Sequence, residues 1–141
     1  MVNDTLAMRG DLVITVNGTT VLEKKNLIVN AGKNFLASAV INSSTSPFTY
    51  MAVGTGTTAA AVGDTALGSE LARSAFTSSS VASNVVTLTT TYAAGTGTGA
   101  LTEAGIFNAS SAGTMLSRVV FSAINKGAAD SLTITWTITV G

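Results

Sequence analysis

The chain holds neither histidine nor cysteine. Acid–base or nucleophilic chemistry would therefore fall to carboxylates, lysines or hydroxyls. Disulfides, thiolate metal sites and iron–sulfur clusters are excluded along with the cysteine. Asp64, Glu70 and Glu103 are the carboxylates to test as the acid and base of a glycoside hydrolase. Glu103 stands out, because it interrupts the alternating apolar segment Leu101–Phe107. Arg73 and Arg118 also fall inside strand-like segments. A bidentate arginine–carboxylate pair between strands explains a carboxylate at Glu103 without any catalysis. We expect that pairing, with Arg118 or Arg73.

The remaining motifs are weaker. Two glycine-rich stretches, Gly54–Gly63 and Gly95–Gly99, lack the lysine of a phosphate-binding loop, and the second leads into a strand and not a helix. Both read as turns between strands. No G-x-S-x-G elbow, S-x-x-K spacing or D-x-D-x-D-G calcium run occurs. Lys24, Lys25 and Lys33 form a small basic cluster without interleaved aromatics, which reads as a solvated face. The N-x-[ST] matches at Asn3, Asn17, Asn42 and Asn108 are chance matches in a chain rich in Thr and Ser. The expectation is a protein that is not an enzyme, with no catalytic residue, no cofactor and no metal.

The elements that would position these residues are strands. Leu132, Ile134, Trp136, Ile138 and Val140 alternate with Thr133, Thr135, Thr137 and Thr139. Successive side chains of a strand point to opposite faces, so one face is apolar and the other is all threonine. Leu12, Ile14 and Val16 alternate before Asn17-Gly18, a strong hairpin signal, with Thr20–Glu23 as the return strand. A short apolar run, Leu27–Val29, leads to Asn30. There the period changes: Phe35, Leu36, Ala39 and Val40 sit at helical spacing, predicting a helix over 31–41 with Asn30 as its N-cap. Further strands are expected at Phe48–Val53, Arg73–Thr77, Val81–Tyr92, Leu101–Phe107 and Met115–Phe121. A serine turn is expected near 78–80, and a short helical turn capped by Asp64 running through Leu67 and Leu71. Eight or nine strands with one helix predict an all-β sandwich or barrel.

At 141 residues the chain fits one domain, with residues 1–10 read as an N-terminal arm. Only 10% of it is charged and the net charge is zero, against about 25% charged in ordinary soluble domains. Thr, Ser, Ala and Gly together make up 73 of the 141 residues. Such a surface has little electrostatic repulsion and suits a component packed against neighbours. The balance of charge predicts no nucleic-acid partner, and the short apolar runs predict no membrane span. No signal-peptide pattern opens the sequence, so synthesis and folding in the cytoplasm are expected.

Several segments carry a resemblance. Met51-Ala-Val-Gly-Thr-Gly-Thr-Thr58, then Asp64-Thr-Ala-Leu67, Glu70 and Arg73, resemble small structural proteins of tailed-phage virions. Leu101–Phe107, the strand through Met115, Arg118 and Phe121, and Ile124-Asn-Lys126 before Leu132–Val140 do so too. Together they cover most of residues 48–140. The pattern is similar to capsid decoration (cement) proteins of tailed bacteriophages, with related modules in tail-fibre proteins. The resemblance implies a jelly-roll-like antiparallel β-sandwich with one short α-helix, sitting on the capsid exterior of the virion. It also implies binding to the major capsid protein across capsomer boundaries, with a homo-oligomer (dimer or trimer) expected. It carries over no catalytic residue. Without repeats or shaft segments, the head is expected before the tail or tail fibre. A carbohydrate-binding β-sandwich is the further alternative, and it would need exposed aromatics.

Overall fold

The computed structural model describes residues 6–42 and 45–141. Ten strands and one helix follow the order β1(Met8–Val16), β2(Thr19–Lys25), β3(Leu27–Ile28), α1(Asn30–Ala39), β4(Tyr50–Gly54), β5(Glu70–Ala75), β6(Ser78–Ala82), β7(Val85–Tyr92), β8(Gly99–Phe107), β9(Met115–Lys126) and β10(Leu132–Val140). They form two five-stranded sheets, β2-β1-β10-β7-β6 and β3-β9-β8-β4-β5, with antiparallel pairing throughout. The protein is an antiparallel β-sandwich with one short helix, as the alternation predicts.

The alternation of β10 positions the core. Leu132, Ile134, Trp136 and Ile138 are buried, and the threonines between them are half-exposed. Across the pairings Leu12 meets Trp136, Ile14 meets Ile134, and Leu88 flanks Trp136 from the other side. Met51, Val53, Leu101, Ala104, Ile106, Val119 and Phe121 of the second sheet close the same core. Tyr92 is fully buried there and donates its hydroxyl to the Met51 carbonyl, a bond between the two sheets. Burial pushes its phenol pKa upward.

Asn17 and Gly18, with φ of 50° and 82°, make the β1–β2 turn. Positive φ at both central residues is what a two-residue turn needs to match the strand twist. The same asparagine clamps a distant loop. Its side-chain amide donates to Asp130 Oδ1 and its Oδ1 accepts from the Ser131 amide.

Several expectations are corrected. The expected N-terminal arm does not run to residue 10: Met8–Gly10 open β1, paired with β10, while residues 1–5 lie outside the described residues. The helix starts one residue early, and Val29 and not Asn30 is its N-cap, without a side-chain cap bond. The Asn30 amide is already held by the Val62 carbonyl, and Val29 is buried, so the loop contact fixes the helix start. Of the apolar stripe, Leu36 packs against the core and Phe35 meets the Phe48 ring edge-on, while Ala39 and Val40 are exposed. Gly32 is the helix's buried residue, and a Cβ there would stand 2.6 Å from the Leu116 carbonyl oxygen. The helix lies backbone-close on β9, which leaves Val40 exposed beyond its end.

The serines of 78–80 form strand β6 and not a turn; the chain reverses at Ser83-Asn84, where Ser83 takes φ 53°. An edge strand needs no large side chains, which is why serines suffice. No helical turn follows Asp64, and Leu71 lies in β5. Strand β9 runs on past Phe121 to Lys126, its polar residues Ser122 and Asn125 facing out.

Trp136 is 0% exposed and its indole N–H meets no acceptor among the described residues. Trp136→Ala is expected to cost about 3–5 kcal/mol, as removal of a large core ring does. Chemical denaturation checks this, together with a blue-shifted emission of the native protein; red-shifted, quenchable emission would contradict the burial.

Candidate functional site: a buried charge cluster and the loops it holds

Glu103, Arg118 and Asp64 come together on the outer face of the second sheet. Glu103 is on β8 and Arg118 on β9, with the pair reading Gly105 opposite Arg118 and Glu103 opposite Val120. Loop 55–69 folds over this face, so Glu103 is 0% exposed and Arg118 is nearly as buried. Arg118 Nη2 stands 2.9 Å from Glu103 Oε2, and its Nε donates to the same oxygen at 3.2 Å. Arg118 Nη1 stands 2.8 Å from Asp64 Oδ2. The guanidinium also donates to the Thr58 and Ala59 carbonyls.

Backbone amides saturate the Glu103 carboxylate. Oε1 accepts from Gly56 N at 2.9 Å and Ser69 N at 2.7 Å, and Oε2 from Gly68 N at 2.8 Å. Next to it, Thr102 donates its hydroxyl to the Gly56 carbonyl. Burial by itself would raise the Glu103 pKa. The amides of Ser69, Gly68 and Gly56, with Arg118, outweigh burial and hold the carboxyl below its ordinary value. Asp64 is also held low, first by the Ala61 amide and then by Arg118, against some desolvation. Arg118 is shifted up: its burial is outweighed by the two carboxylates. A carboxylate kept ionised by this many donors, with no solvent path, is poorly suited to give or take a proton from a substrate. It is well suited to fix a loop.

This cluster also explains the first glycine motif. A Cβ on Gly56 would stand 2.6 Å from Glu103 Oε1, and one on Gly54 would press on the Ser69 carbonyl. Glycine is needed there for close approach to the carboxylate. The look-alike stretch at Gly95–Gly99 has a different cause: Gly95 and Gly97 have φ of 83° and 67°, a turn conformation that favours glycine.

The other expected residues fall elsewhere. Arg73 does not reach Glu103. It pairs with Glu70 at 2.6 Å, lies 3.8 Å over the Phe107 ring, and donates to the Ala109 and Ala112 carbonyls. The three candidate carboxylates thus form no acid–base pair: Glu70 serves Arg73, while Asp64 and Glu103 share Arg118. Lys24 and Lys25 are exposed on edge strand β2, and Lys33 is exposed on the helix. Sequence reading missed Lys126. It is 1% exposed and caps the Ala93 carbonyl at 2.9 Å, at the base of the second glycine loop. It stands between Asn125 and Gly127 at the end of its strand, so nothing in the pattern marks it as buried.

The exposed features are largely uncharged. Strands β6, β7 and β10 are adjacent and carry no Asp, Glu, Lys or Arg. Their outer face aligns Thr133 with Thr91, Thr135 with Thr89 and Thr137 with Thr87. At one end of the sandwich Leu6, Val40 and Ile41 are exposed beside an apolar cleft of about 390 Å³ that includes Leu36, Phe48 and Ile138. Among the described residues no group of acidic side chains could hold a metal ion, and no helix is long and apolar enough to cross a membrane. Comparison with protein-family models, curated proteins and solved structures finds no match to the chain.

Two predictions follow from the cluster. Glu103→Gln is expected to cost about 3–5 kcal/mol, because it leaves Arg118 buried with half its counter-charge. Both carboxyls titrate lower in the folded chain, so on acidification the unfolded chain takes up protons first. Stability is therefore complete above the unfolded values of about 4.3 for Glu and 3.9 for Asp, and declines as pH falls through the folded ones. Urea midpoints from pH 7 to pH 2 should show this acid limb flattened in the variant; an unchanged limb would contradict the role given to Glu103. Separately, Gly56→Ala should destabilise the protein while Gly63→Ala, whose Cβ meets nothing within 4 Å, should not.

Proposed function

We propose that the protein is a non-enzymatic structural component of a tailed-phage virion that binds the outside of the assembled capsid and stabilises it across capsomer boundaries. The observation that carries this reading is the uncharged expanse of three adjacent strands, β6, β7 and β10. Such a face offers little to a small substrate and little repulsion to another protein surface. Its contacts are individually modest, so they sum usefully only against a rigid partner of fixed geometry. A capsid lattice, with the major capsid protein as partner, supplies that rigidity and repeats the site. The exposed Leu6, Val40 and Ile41 add apolar contact area at one end of the sandwich. The resemblance of residues 48–140 to decoration proteins supports the same reading.

A tail or tail-fibre position is the second reading, supported by the same resemblance. The carbohydrate-binding alternative is less favoured, because Trp136 and Tyr92 are buried and Tyr50 is half-buried, leaving little aromatic surface for a sugar ring.

The test is to strip the protein from particles and add it back, following occupancy and the temperature of genome release. Restored occupancy with a raised release temperature, and much weaker binding to unassembled capsid subunits, is the expected result. Equal binding to free subunits, or labelling confined to tails in electron micrographs, would overturn the capsid reading.

A further inference from the structure

Among the described residues the two sheets end in four edge strands: β2 and β6 in one, β3 and β5 in the other. A free edge presents unpaired backbone donors and acceptors, and natural proteins block it with charge, proline or shortness. Three of the four are blocked in this way. Strand β2 carries Glu23, Lys24 and Lys25, β5 carries Glu70 and Arg73, and β3 is two residues long. Strand β6, Ser78-Ser-Ser-Val-Ala82, has none of these devices, and every residue of it is exposed. Residues 74–102 contain no charged side chain at all.

We propose that β6 is a self-association edge: two copies of the chain pair β6 antiparallel to β6 about a two-fold axis through Ser80, joining two five-stranded sheets into one of ten. The occupant is a second copy for three reasons. The strand is neutral, so it meets itself without like-charge repulsion. Its outward side chains, Ser78, Ser80 and Ala82, are small enough for close pairing on the threonine face, in line with Thr89, Thr87 and Val85. Pairing of like edges also closes, because once both β6 strands are used the remaining edges are blocked; pairing of β6 with any other edge would leave an open chain of copies. On the core-side face the row Ile138, Val86, Val81 ends abruptly, with Val81 72% exposed. The second copy extends that row and covers it.

The proposal rests on edge chemistry and not on the capsid reading, so either can fail alone. Five residues a side make an interface well below the ~1,200 Å² of stable complexes, so the dimer is weak and concentration-dependent in solution. Sedimentation should show a monomer–dimer equilibrium that is lost in Val81→Lys, a change at an exposed position that leaves the fold intact. The chain has no cysteine, which allows a direct test of register. Residues facing each other across an antiparallel pair have Cα atoms about 4.5–5.5 Å apart, within the span of a disulfide. Ser80→Cys should therefore form a disulfide dimer under mild oxidation, while Ser110→Cys, exposed in a different loop, stays monomeric. A monomer at every concentration with Ser80→Cys linking no faster than Ser110→Cys would overturn the proposal. So would a dimer that persists unchanged in Val81→Lys, or a β6 edge that pairs only with another protein.

Discussion

The ion pair between Glu103 and Arg118 is the contact on which the outer layer of the second sheet depends. Burying two charges costs several kcal/mol each, and their attraction offsets this only when the remaining lone pairs and protons are satisfied. Here they are satisfied by the backbone of one loop: three amides point at the carboxylate, and two carbonyls accept from the guanidinium. The pair and loop 55–69 therefore require each other. Without the loop the charges have no partners for their spare hydrogen-bonding capacity. Without the charges a Gly/Thr/Ala segment has almost nothing apolar with which to hold the sheet, Leu67 being its buried anchor.

The same device recurs at smaller scale. Arg73 holds loop 108–112 through two carbonyls, Asn17 and Asp130 hold the loop before β10, and Lys126 caps Ala93. In a chain with so few charges, most of the buried or half-buried ones fasten a connection to a sheet. The consequence is a sandwich whose loops are ordered by polar clamps, and whose strands β6, β7 and β10 carry no charge. That division of labour is what links the core chemistry to the proposed role at a protein lattice.

How much of this was legible in the sequence follows from what kind of force fixes each part. The alternation of Leu132–Val140 and Leu12–Val16 reports burial directly, so the sandwich, its central strands and the inward Trp136 could be read off. An ion pair for Glu103 was legible for a related reason, a carboxylate among apolar residues. Which arginine it meets was not, because that depends on strand order: β9 lies beside β8, while β5 is separated from β8 by β4. The helix start misled because it is set by the Asn30 amide meeting the Val62 carbonyl, and the close approach to β9 is made at Gly32, ahead of the half-buried Phe35 and Leu36. Ser78–Ser80 misled because an exposed edge strand lacks the burial that creates a pattern. The two Gly-Thr loops look alike in sequence, yet one needs glycine for space and the other for backbone angle, a difference only the fold reveals.

The central claim is that a buried carboxylate holds loop 55–69, and amide hydrogen exchange on the intact protein tests it most directly. The amides of Gly56, Gly68 and Ser69 lie in a loop with no strand pairing, so ordinary loop behaviour would have them exchange quickly. Bonded to Glu103, they should instead be protected to the same degree as the strand amides of β8, and should lose that protection together in Glu103→Gln. Fast exchange at all three in the native protein, or protection that survives the substitution, would contradict the account.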